Sequence, residues 1–189
     1  MSDEQDQNPG AETESPQMTS AEAQAHVDRA MTMIRRMDLD GALAELAAVD
    51  EAIRFAVDPV ARVQWGRVLN GLGFIDLMDA KEARAAVDEL DEMAETAFRR
   101  GLKFALARFE QALAVQAEPK FRRYAECNKA YALALLGRGD AARELFRTLL
   151  GAGGRNAYDE QIKDTRHHPI PEDRAVVRML DEIWEEQNK

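Results

Sequence analysis

Apolar residues recur at intervals of three and four along most of this chain, the spacing that gathers them on one side of an α-helix. Val27, Ala30, Met31, Ile34 and Met37 open the series behind Thr19 or Ser20 as N-cap, with Glu22 in the first turn, and predict a first helix to about Met37. Asp38 to Gly41 reads as a turn. Ala42, Leu43, Leu46, Val49 and Ile53 then predict a second helix from about Gly41 to Ala56, closing a hairpin with the first. Asp58-Pro59 stops that helix and starts a third, which Val63, Leu69, Leu72 and Ile75 carry to about Met78. Asp79 suits an N-cap for the next, with Ala83, Val87, Leu90 and Ala94 inward.

Beyond Ala80 the apolar phase runs on to Gln116, so residues 80 to 117 read as one helix or as two. Gly101 is the breaker in that stretch, and the length of an unbroken helix there favours a break near Arg100. Alternation of helix pairs argues the other way. Glu118-Pro119 opens a helix from Lys120 to Leu136, and another spans Asp140 to Leu150 until the run Gly151-Ala152-Gly153-Gly154 ends it. Residues 151–171 read as a polar linker with one turn near Ala157 to Ile162. Pro171 opens a last helix, from about Glu172 to Gln187, whose Val176, Val177, Leu180, Ile183 and Trp184 form one apolar face.

Within this pattern Ala130, Leu133, Gly137, Gly139, Ala142 and Phe146 stand out. The alanines let two helices approach closely, the glycines close a tight turn, and Phe146 fills the space between. This stretch resembles a tetratricopeptide repeat. Weaker echoes are Trp65 with Leu72-Gly73, and Ala30, Ala42 and Leu46 ahead of Asp58-Pro59. The resemblance implies an all-α stack of antiparallel helix hairpins, a tetratricopeptide-like solenoid of about seven or eight helices over residues 19–150, with residues 172–189 as its capping helix. It also implies a concave groove, lined by the first helix of each pair, that receives a peptide or helix of another protein. Asn128 sits where such proteins hold a peptide backbone; Asn70 occupies a similar place one pair earlier, and Tyr124 and Tyr131 flank Asn128 one turn away on either side. These four are the candidate partner-binding residues.

Composition narrows the partner. Of 189 residues, 25 are Lys or Arg and 35 are Asp or Glu, giving a net charge of −10 that repels phosphate backbones and anionic lipid. Neither nucleic acid nor membrane is expected as partner. Residues 1–18 carry five acids and no base, the composition of a disordered tail without a charge-flanked apolar segment, so the expected location is cytoplasmic. Arg99, Arg100 and Lys103 offer that tail a basic counterpart. The single cysteine, Cys127, excludes an internal disulfide and a Cys-based zinc site and reads as a small buried hydrophobe. His167-His168 is a pair of neighbours in a loop without a spaced third ligand, and it reads as solvated.

No nucleophile, base and orienting group are brought together by spacing. The chain therefore reads as a non-enzymatic, cofactor-free adaptor or chaperone. The alternative is a regulatory domain that responds to a ligand or peptide, with the C-terminal helix as lid over the glycine-rich hinge. Oligomeric state is open.

Overall fold

A computed structural model describes residues 18–87 and 91–189 of the chain. The expected acidic tail, apart from Met18, lies outside them. Seven helices and no strand occur among the described residues: α1 (Ser20–Arg35), α2 (Leu39–Ile53), α3 (Pro59–Ala85), α4 (Glu92–Val115), α5 (Pro119–Leu135), α6 (Gly139–Asp164) and α7 (Asp173–Gln187). The fold is all-α.

Local chemistry explains most helix ends. Thr19 and Glu22 form a reciprocal capping box on α1, Asp58 accepts from Ala61 N at 2.8 Å to start α3, and Pro59 and Pro119 take first-turn positions where no amide is needed. The turns after α1 and α5 are built alike. In one, Asp38 N donates to Met33 O and Met37 N to Ile34 O; in the other, Arg138 N donates to Leu133 O and Gly137 N to Ala134 O. The residue between, Met37 or Gly137, takes a left-handed φ of 58° or 75°. Gly41, expected in the first of these turns, instead sits in the first turn of α2. Asp38 caps that helix, and a Cβ on Gly41 would come within 2.7 Å of the capping carboxylate.

Three further expectations are corrected. Asp79 is no N-cap but lies inside α3, which runs on to Ala85 because Ala80, Lys81 and Arg84 are all buried. The separation falls between Ala85 and Glu92, with Asp91 capping α4 through Ala94 N at 2.7 Å. Thus there is no break near Arg100: Gly101 is helical, and a Cβ there would meet that of Ala80 at 2.8 Å, so the glycine allows α3 and α4 to touch. Residues 151–164, expected in a linker, are helical except at Gly154 (φ 58°, ψ −147°), where α6 bends sharply and then continues because Ala157 and Gln161 find buried positions.

Each helix packs on its successor, and α1, α3, α5 and α7 also touch in a row, whereas α2, α4 and α6 make no such mutual contacts among the described residues. One core cluster joins α1, α2 and α3 around Leu46 and Val49. The larger one, around Phe109, Leu102 and Phe146, joins α3 to α7. Ala130, Ala142 and Phe146 are fully buried where α5 crosses α6.

Candidate functional site

A cleft of about 320 Å³ opens on the side of the row formed by α1, α3 and α5. Each of these helices contributes residues one turn apart: Met31 and Ile34 from α1, Asn70 and Phe74 from α3, Tyr124 and Asn128 from α5. Met37 enters from the strained turn after α1. Gly71 keeps α3 low here, since a Cβ on it would lie 2.7 Å from both Leu46 Cδ1 and Met31 Cε. The fourth wall is α6 beyond its bend, with Glu160, Gln161, Lys163 and Asp164, followed by His167. Gly153 fits beside the bend for want of a side chain, because Arg123 Nη2 lies only 1.4 Å from where its Cβ would be.

Three of the four residues expected from sequence meet in this cleft. Asn128 Nδ2 donates to Asn70 Oδ1 at 3.0 Å, joining α5 to α3 across the floor, and Tyr124 stands exposed beside them. Each amide retains unused capacity: among the described residues nothing pairs with Asn128 Oδ1 or with Asn70 Nδ2. One acceptor and one donor thus face the opening.

Tyr131 does not line the cleft, which corrects its assignment to a partner-binding face. It continues the stripe of Tyr124 and Asn128, but one turn further along α5 the start of α7 covers it. Its hydroxyl accepts from Lys81 Nζ at 2.5 Å and donates to Asp173 Oδ1. Burial, with Asp173 beside it, raises the phenol well above the usual tyrosine range. Lys81 Nζ also pairs with Asp173 Oδ2 at 3.1 Å and reaches the Asp164 backbone carbonyl at 3.4 Å. Burial pulls the ammonium below its ordinary pKa, against the attraction of Asp173.

Asp164 was not foreseen as a site residue. Burial pushes its carboxyl up to about 7, Lys81 opposing and Glu160 reinforcing the shift. The Cys127 thiol is pushed up to about 12 by burial and stays protonated near neutrality. Burial lowers His167, so its imidazole is neutral there. The cleft therefore combines aliphatic and aromatic walls, an amide pair with free donor and acceptor, and a carboxyl poised to ionise.

With this geometry in hand, likeness to characterised proteins adds nothing: no family model, curated protein or solved structure matches the chain. No helix among the described residues is long and apolar enough to cross a membrane.

Proposed function

We propose that this chain is a protein-binding module, an adaptor or chaperone of tetratricopeptide-like build, that holds an extended segment of a partner in the cleft between α1, α3 and α5. The observation that carries this reading is the Asn70–Asn128 pair. An extended backbone presents an N–H and a C=O with no partners of their own, and the free amide acceptor and donor on the cleft floor complement them. The volume, at the small end for ligand sites, suits one or two anchor side chains better than a whole helix.

Two features support the helix-hairpin part of the reading. The odd-numbered helices form a contiguous row that the even-numbered ones lack, and the turns after α1 and α5 share one hydrogen-bonding scheme. For the ligand-responsive alternative, support for a lid falls on α6 beyond Gly154. By contrast, α7 is held through Lys81–Asp173, Arg84–Glu172 and Arg143–Glu182 and lies off the cleft.

The test is site-directed photo-crosslinking in host lysate. A photoreactive phenylalanine analogue at Tyr124, beside the amide pair, should trap a partner segment; the same analogue at exposed Phe55, outside the cleft, should not. Equal trapping at both positions would count against the cleft.

A further inference from the structure

The charges behind the cleft do not balance. Lys81 is wholly buried and faces two aspartates, Asp173 and Asp164. Its ammonium has three hydrogens, and its three neighbours are Asp173 Oδ2, the Tyr131 hydroxyl and the backbone carbonyl of Asp164. The carboxylate of Asp164 is left over. Among the described residues it forms neither an ion pair nor a hydrogen bond, and it lines the cleft.

Its other neighbours do not neutralise it. Glu160, one turn earlier on α6, adds negative charge, and partial burial holds the half-exposed His167 below the usual imidazole range, away from the charged form. Lys163, the preceding residue on α6, attracts the carboxylate through space, but it and Arg35 of α1 are solvent-exposed cleft residues and neither is within ion-pair distance of it. A half-buried carboxylate so placed is stabilised by a cation brought from outside, more strongly than a fully exposed carboxylate would be, because less water competes. In the same cleft Met31, Ile34 and Phe74 offer an apolar wall, which suits the methylene stem of a long basic side chain.

We propose that the cleft's occupant carries a lysine or arginine, its cationic head on Asp164, its stem along Met31, Ile34 and Phe74, and its backbone on the Asn70–Asn128 pair. This rests on the partner-segment reading above. The net charge of −10 favours the encounter with a basic segment over an acidic one. Binding requires the ionised carboxyl, so it releases a proton and strengthens as pH rises through the range in which Asp164 titrates.

Four pools of blocked pentapeptides, identical except for Lys, Arg, Met or Glu at the centre, test this with the full chain. Affinity is read by titration calorimetry, and location by amide-proton shifts of Asn70 and Asn128. The Lys and Arg pools should bind about tenfold or more tighter than the Met pool, and Asp164→Asn should erase the difference. Equal binding of the Met pool, tighter binding of the Glu pool, or a preference that survives Asp164→Asn would overturn the cationic occupant and leave the cleft as a peptide site. If no pool moves the Asn70 and Asn128 signals, the peptide site falls with it.

Discussion

Lys81 Nζ lies 3.1 Å from Asp173 Oδ2, and the lysine is entirely shielded from solvent. The pair fastens the middle of the fold to its last helix, with the Tyr131 hydroxyl bridging the two groups. A buried pair of this kind is near break-even when intact and costly when halved, since one charge is left without solvent or partner. Accordingly, Lys81→Ala should lower unfolding free energy by about 3–5 kcal/mol in urea titrations. Adding Asp173→Asn, which removes the orphaned charge and keeps an oxygen for the Ile170 amide, should restore part of that loss. A double variant as unstable as the sum of the singles would contradict the account.

Met37 carries the left-handed φ that Gly137 carries in the equivalent turn, and a side chain there costs roughly 1 kcal/mol of strain. Its side chain lines the cleft, so the strain serves the site. Met37→Gly should be more stable than Met37→Ala by about 1 kcal/mol, since both lose the side chain and only glycine relieves the backbone. Both should weaken partner capture. Equal stability of the two variants would remove the strain argument.

Asp164 gives stability a particular pH dependence. Its folded pKa, about 7, is above the ordinary 3.8, so between those values the folded state holds a proton that the unfolded chain has released. The contribution is therefore favourable at low pH and is lost as pH rises towards 7. Thermal melts of the wild type relative to Asp164→Asn should show the wild type losing ground from about pH 4 to about pH 7 and levelling off above. A constant difference would mean that the carboxyl is not buried as described.

Gly154 holds the fourth wall of the cleft. Its φ of 58° with ψ of −147° belongs to a region that side chains all but exclude. Gly154→Ala should cost roughly 1–3 kcal/mol or swing the end of α6 off the cleft, speeding tryptic cleavage after Arg155 and Lys163. Unchanged stability and cleavage would show that the bend tolerates a side chain.

How much of this could be read from sequence depends on how local the determinants are. The Thr19–Glu22 box, Asp58-Pro59, Glu118-Pro119 and the Ala130–Phe146 pattern act within a few residues, and the helix ends they set appear where expected. Lys81 and Arg84 look like surface residues until Asp173 and Glu172, far along the chain, come to meet them. The clue was their spacing from Leu77, which continues the inward stripe of α3. Gly101 reads as a breaker unless the approach of Ala80 is known. In the cleft, Asn70, Tyr124 and Asn128 were legible from their helical register. Tyr131 shares that register and was lost to it when α7 covered the turn, and Asp164 was hidden by the glycines that seemed to end its helix.

Partner capture from host lysate by the intact protein and by an Asn70→Ala, Asn128→Ala double variant, both confirmed helical by circular dichroism, tests the central claim most directly. The account predicts a specific partner whose recovery falls about tenfold or more with the variant, the loss expected when two backbone-pairing amides go. A partner recovered equally by both proteins would contradict it.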